Sequence, residues 1–133
     1  MIVDTSVLFA AMDRSDANHG RAADALGQAD EVLVPAPTLV ELDWLSSSRS
    51  VPATTVVLRG IREGSILPVD LTLEDYRRVE LLCAQYADLP LDLVDASVVA
   101  VAERLDDDTI ATLDRRHFSV VRPAHAPAFT LVP

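Results

Sequence analysis

The chain has no lysine. All 11 of its basic residues are arginine, set against 21 acidic residues, and the formal net charge is −10. Such an excess repels bulk nucleic acid, so a nucleic-acid function requires a local arginine cluster or cations that neutralise the site. Cysteine is nearly missing as well. Cys83 alone excludes an internal disulfide, and with no CxxC partner it excludes a thiolate zinc site, so it reads as core filler in a reducing compartment. The three histidines, His19, His117 and His125, stand far apart, at no zinc-like spacing, and read as surface or loop residues. No apolar run approaches the roughly 18 residues needed to cross a bilayer, and Asp4 interrupts the N-terminal stretch before it can serve as a signal-peptide core. The expected location is the cytoplasm, with no membrane attachment.

What remains is apolar. Half of the residues are hydrophobic, 24% are charged and the mean hydropathy is +0.23, a balance that buries enough surface to exclude a mainly disordered chain. At 133 residues the expectation is one domain spanning 1–133, with no repeat, linker or low-complexity tract.

Short β-rich runs alternate with helical patterns along the chain. Met1-Ile2-Val3 reads as a buried strand, and Thr5-Ser6 offers a cap for a helix through Met12. Arg21–Ala29 is amphipathic, and Glu31–Val34 is a strand closed by Pro35. Thr38–Leu45 is helical and is ended by Ser46-Ser47-Ser48; Pro52–Glu63 is a helix stopped by Gly64. Ile66–Asp70 contains Pro68 and belongs at a sheet edge. Thr72 with Asp75 forms a capping box for Leu73–Tyr86, and Asp92–Leu105 is a central buried helix. Asp106-Asp107-Asp108 reads as a solvated turn, followed by strand Thr109–Leu113, a helical turn Asp114–Phe118 and strand Phe129–Val132. This alternation predicts a three-layer α/β/α domain around a mainly parallel sheet.

Four carboxylates resist a solvation account. Asp4 and Asp114 end apolar strands, Glu41 sits inside Leu39-Val40-Glu41-Leu42, and Asp95 inside Leu93-Val94-Asp95-Ala96. A buried carboxylate needs a partner or a metal, and open parallel sheets bind ligands beyond the carboxyl ends of their strands. Each acid alone admits a structural role: helix or turn capping for Asp4, Asp95 and Asp114, pairing with an arginine for Glu41. Together they define one pocket of hard oxygen ligands suited to Mg²⁺ or Mn²⁺, ions that serve phosphodiester hydrolysis. Such cations would also let an acidic protein receive RNA.

The segments Met1-Ile2-Val3-Asp4-Thr5-Ser6-Val7-Leu8, Leu39-Val40-Glu41-Leu42, Asp95-Ala96-Ser97-Val98-Val99-Ala100 and Thr112-Leu113-Asp114-Arg115-Arg116-His117-Phe118 resemble the successive motifs of PIN domains, most closely those of the VapC toxin ribonucleases. The resemblance spans nearly the whole chain. It implies a PIN-like fold and a Mg²⁺- or Mn²⁺-dependent endoribonuclease with Asp4, Glu41, Asp95 and Asp114 as catalytic and metal-binding acids. Asp4 and Asp95 would be the main ligands, and Ser6 would support the first motif. Water would be the nucleophile, leaving 5′-phosphate and 3′-hydroxyl ends. It further implies a homodimer, a VapB-type antitoxin as partner and structured RNA such as tRNA or rRNA as substrate, with the antitoxin groove on apolar residues of the first two helices and the Pro52–Glu63 helix. Asp92, close to Asp95, reads as a helix N-terminal charge. Arg115 or Arg116 is a candidate for the scissile phosphate, and Trp44 reads as core or dimer packing. A catalytically silent PIN-like module that only holds RNA or protein is the competing reading. A dehalogenase-type phosphatase lacks its DxD here, since Thr5-Ser6 follow Asp4, and a receiver domain lacks its lysine.

Overall fold

The computed structural model describes residues 1–133. Five short strands, β1 (Ile2–Val3), β2 (Leu33–Pro35), β3 (Leu67–Val69), β4 (Thr109–Ala111) and β5 (Thr130–Val132), form one sheet in the order β3-β2-β1-β4-β5. Every neighbouring pair is parallel. Seven helices surround the sheet: α1 (Thr5–Met12), α2 (His19–Gln28), α3 (Ala36–Arg49), α4 (Ala53–Glu63), α5 (Leu73–Gln85), α6 (Leu93–Leu105) and α7 (Arg115–Phe118). The α/β/α architecture expected from the alternation is the one observed.

Successive strand residues feed opposite faces of the sheet. Ile2 and Ile110 pack with Val79 and Leu82 of α5, the apolar body of α6 and Phe118; Val3 and Ala111 pack with Val7, Leu8, Leu42 and Val57 of the opposite layer. Every residue of α6 from Ala96 to Ala102 is buried, as its sequence predicted.

The sheet has its topological switch at β1. The chain runs outward from β1 to β2 and β3 on one side, while β4 and β5 lie on the other. Ile2 faces Ile110 and Val3 faces Ala111 in register, so the residues that follow these strands, Asp4 and Thr112, emerge side by side at one carboxyl edge. That edge is where ligands of open α/β sheets bind.

Several local readings hold: Pro68 lies in the edge strand β3, Gly64 ends α4 at φ 79°, and Thr72 and Asp75 form a reciprocal capping box on α5. Others need correction. The N-cap of α1 is Asp4, ahead of Thr5-Ser6. The serine run does not end α3, which continues to Arg49 and stops at the left-handed Ser50. Ser46 is buried there because its Oγ accepts from both the backbone N–H (3.2 Å) and the hydroxyl (3.0 Å) of Thr54 on α4, a tertiary bond that outweighs serine's weak helix preference. The Asp106–Asp108 turn is solvated only at its ends. Asp107 is 2.7 Å from the Met1 amine and accepts from the Thr109 N–H.

A two-pronged ion pair ties α5 to α6. Arg78 donates from Nε (2.6 Å) and Nη2 (2.8 Å) to Glu103, which also accepts from the Ala124 N–H at 2.8 Å. Burial alone would raise the Glu103 pKa; the bonds from Arg78 and Ala124 overcome this and hold it below its ordinary 4.5. A depressed carboxyl pKa stabilises the fold above the unfolded value, and that stability is lost as pH falls through the folded one. Glu103→Gln should therefore cost about 1.5–3 kcal/mol at neutral pH. Urea unfolding from pH 7 to pH 3 should show the wild-type advantage shrinking toward the acid end.

Candidate active site

Asp4, Glu41, Asp95 and Asp114 line a single pocket of about 240 Å³ at the carboxyl edge of the sheet, together with Asp92, Ser6, Arg116 and His117. Four separate segments supply these residues, so the pocket exists only in the folded chain.

Asp4 is the most buried of the acids, at 6% exposure. Its Oδ2 accepts from the hydroxyls of Ser6 (2.6 Å) and Thr112 (2.9 Å). Its Oδ1 receives no hydrogen bond, and the side chain does not cap α1. Ser6 is fixed in turn by accepting from the Leu113 N–H at 2.9 Å, and Thr112, fully buried, accepts from the Asp114 N–H at 3.0 Å. The Ser6 hydroxyl thus has the supporting bond expected of it. Thr112 was not singled out in the sequence; its one signal was a hydroxyl at the end of an apolar strand.

Asp95 opens α6. Asp92 is the N-cap and accepts from the Asp95 backbone N–H at 2.9 Å, as its reading as a helix N-terminal charge anticipated. The Asp95 Oδ2 is bonded to the Nδ1 of His117, while Oδ1 has no partner in the chain. His117 is therefore not a plain surface or loop histidine. It is 19% exposed and belongs to the pocket, because packing of α7 against the start of α6 joins residues that lie 22 apart in sequence.

Burial, then the carboxylates of Asp92 and Asp4, push the Asp95 pKa up to about 6 despite the His117 bond. Asp114 goes the other way. It caps α7, and hydrogen bonds from Arg116, outweighing its desolvation, hold it at about 2. The Arg116 guanidinium bonds both of its carboxylate oxygens, with Nε 2.9 Å from Oδ1. Arg115 points elsewhere, donating to the backbone carbonyls of Leu131 and Pro133. The Glu41 side chain makes no hydrogen bond and sits on the wall shared with a larger apolar groove of about 800 Å³, lined among others by Val40, Trp44, Tyr76 and Leu93. Trp44 is 68% exposed, so it is not core.

The donor set fits a hard divalent cation. It is rich in carboxylates, contains no thiolate, and its only imidazole already has its Nδ1 bonded to Asp95. Asp4 and Asp95 each keep one carboxylate oxygen that the protein leaves without a hydrogen bond. No three His, Cys, Asp or Glu side chains converge into a ready-made cage. Mg²⁺ can be held by one or two carboxylates with water and phosphate completing its shell, so the fit rests on the open oxygens of Asp4 and Asp95 alone.

The PIN domain model matches residues 1–122, and this chain belongs to that family, as a protein of the VapC type. It is 34% identical, over the full length of both chains, to Ribonuclease VapC26 of Mycobacterium tuberculosis. Among solved structures it is similar to M. tuberculosis VapC20, described as a Sarcin-Ricin loop cleaving toxin, with a TM-score of 0.73 at 22% identity over 82% of this chain and 85% of the other. FitAcB from Neisseria gonorrhoeae matches with a TM-score of 0.56 at 21% identity, over 86% and 87% of the two chains. At those identities the two structures speak for the fold.

The raised Asp95 pKa has a consequence in the metal-free protein. Because the folded state favours the protonated acid, its contribution to stability is full below about 3.8 and is lost as pH rises through about 6. Asp95→Asn is neutral throughout and should be more stable than wild type in EDTA at pH 8, by about 1–3 kcal/mol and with a correspondingly higher melting temperature, the gap closing toward pH 4. Asp106→Asn, at an exposed C-cap, serves as the control and should show no such pH-dependent gap. Equal melting of wild type and Asp95→Asn at pH 8 would contradict the crowding of charge around Asp95.

Proposed function

We propose that this protein is a Mg²⁺- or Mn²⁺-dependent endoribonuclease toxin that hydrolyses RNA phosphodiester bonds at the pocket of Asp4, Glu41, Asp95 and Asp114. The observation that carries the reading is the pair Asp4 and Asp95: two carboxylates in one pocket, each with one oxygen held by a side-chain donor and the other left without one. Full-length similarity to a protein named as a ribonuclease supports the same class.

In this reading Asp4 and Asp95 hold the cation, with Glu41 and Asp114 contributing directly or through water. When bound, the cation supplies Lewis-acid chemistry: it draws the phosphate in and offsets charge on the attacking and leaving oxygens. The chain's own part is positional. Ser6 and Thr112 keep Asp4 in one orientation at the sheet edge, and the Asp92 cap fixes the backbone of Asp95. Arg116, 80% exposed, is the arginine next to the scissile phosphate, free to exchange Asp114 for the RNA backbone; Arg115 is committed to carbonyls.

Partners follow the same logic. We assign the groove beside Glu41 to a second copy of the chain. Val40, Trp44, Tyr76 and Leu93 are all more than half exposed there, more apolar surface than scattered single residues would give, and a copy seated on it would border the acidic pocket through Glu41. A VapB-type antitoxin remains the expected neutralising partner. Of the three helices expected to form its groove, α4 offers exposed Val56 and Leu58, while α1 and α2 offer the half-buried Met12 and Leu26; Val7, Leu8, Phe9, Ala10 and Ala22 are buried in the core. The RNA is expected to be a structured one, and the location cytoplasmic; no helix is long and apolar enough to cross a membrane.

Purified protein freed of any partner should cleave RNA with Mg²⁺ or Mn²⁺ and leave 5′-phosphate ends, and excess EDTA should silence it. Asp4→Asn should lose activity beyond the about 10- to 100-fold typical of removing an outer partner, with an unchanged circular dichroism spectrum. Cleavage undiminished in chelator would sink the metal mechanism; intact folding with no cleavage under any cation would favour the silent binding module. Light scattering should report a dimer at micromolar concentration and a monomer for Trp44→Asp, whereas a monomeric wild type would remove the assignment of the groove.

A further inference from the structure

Asp4 and Asp95 are built alike, yet different chemistry holds them. At Asp4 two hydroxyls take one carboxylate oxygen. At Asp95 no hydroxyl is present; the donor to its side chain is the His117 imidazole. We propose that His117 is the positioning residue for Asp95, its Nδ1–H fixing Oδ2 so that Oδ1 is presented to the cation, as Ser6 and Thr112 do for Asp4. The inference rests on the metal-nuclease reading above and assigns a role to a residue outside its four acids.

Three features of the chain carry it. First, His117 is held from below. Phe118 is buried in the core, Asp114 caps α7 by accepting from the Arg116 N–H, and the His117 carbonyl accepts from the N–H groups of Val120 and Val121, both at 3.0 Å. The ring therefore stands on a fixed backbone. Second, Asp95 is fixed at both ends only if His117 is counted: the Asp92 cap holds its backbone N–H, and the imidazole holds its carboxylate. Third, the charged neighbours that bear most on Asp95 include Asp92 and Asp4, and both repel it. A donor on Oδ2 offsets part of that repulsion and holds the carboxylate in one orientation. An orientation set in advance removes the ordering cost that cation binding would otherwise meet. Hydrogen bonds to ligating carboxylates have this role in metal sites generally, and losing one costs about 10- to 100-fold in affinity or activity.

The test compares two substitutions that separate the ring from its proton. His117→Phe keeps an aromatic ring and has no donor; His117→Asn gives up the ring but offers an amide N–H near the position of Nδ1. Mn²⁺ is titrated into each protein without RNA and followed by electron paramagnetic resonance, and RNA cleavage is measured in parallel. His117→Phe should bind Mn²⁺ about 10- to 100-fold more weakly and lose kcat with little change in KM for RNA, while His117→Asn recovers most of both. If the Phe variant does not fold, His117→Leu, also without a donor, carries the same expectation. Wild-type Mn²⁺ affinity in the donorless variant, or an Asn variant no better than the donorless one, would overturn the role. A wild type that cleaves RNA yet binds no Mn²⁺ overturns the metal reading and this proposal together, and it is recognised on the wild-type arm alone.

Discussion

The hydrogen bond from Thr112 to Asp4 is the interaction on which the site depends. It crosses from the residue after β4 to the residue after β1, and it forms because Ile2 lies opposite Ile110 and Val3 opposite Ala111. A slip of one residue would exchange the faces of Ile110 and Ala111 and move the Thr112 hydroxyl away from the carboxylate. Core packing and site geometry therefore share one register. The carboxylate also needs this bond to be buried at all, since at 6% exposure an ionised Asp without donors would carry the full desolvation cost.

The second support is α7. Four residues are too few for a helix to persist by its own hydrogen bonds, and this one is stabilised by the buried Phe118 and the Asp114 cap. In return it delivers Asp114, Arg116 and His117 to one pocket wall. The two carboxylates it touches end in opposite electrostatic conditions. Arg116 draws Asp114 down to about 2, while burial and like charge lift Asp95 to about 6 even with His117 bonded to it. The difference is exposure and partner: Arg116 brings a permanent positive charge to an accessible acid, whereas Asp95 sits deeper, among acids.

How much of this was legible in the sequence depends on whether the signal was local. The strand-to-helix alternation, the Thr72–Asp75 capping box, Gly64 as helix stop and Pro68 in an edge strand all rest on neighbours within a few residues, and all are present in the fold. The four acids were legible as a group because a charge inside an apolar run has to be accounted for, and they do line one pocket. The failures were tertiary. Ser46 reads as a helix breaker until Thr54 on the next helix supplies its partner. Asp107 reads as solvated until the Met1 amine is brought against it by the pairing of β1 with β4. His117 lies in the expected helical turn and reads as a surface residue there; its partner Asp95 lies on another element, and no spacing rule joins them. Trp44 reads as core or dimer packing, and only the core alternative fails, because α3 turns that face outward.

The charge balance explains why the arrangement of donors matters more than their number. A chain at −10 with several carboxylates around one pocket has no net attraction for a polyanion, and its nearest arginines are engaged: Arg116 with Asp114, and Arg115 with the carbonyls of Leu131 and Pro133. In the proposed reading the cation changes this balance at a single point. Held by Asp4 and Asp95, it would offset the repulsion among Asp4, Asp92 and Asp95 and would make the pocket attractive to phosphate without altering the acidic surface elsewhere. Arg116 could then pair with a phosphate in place of Asp114, because a guanidinium forms the same two-pronged geometry with either. In that reading a cation in the pocket and the RNA backbone would favour each other by charge alone, while the acidic exterior would leave contacts with bulk nucleic acid disfavoured.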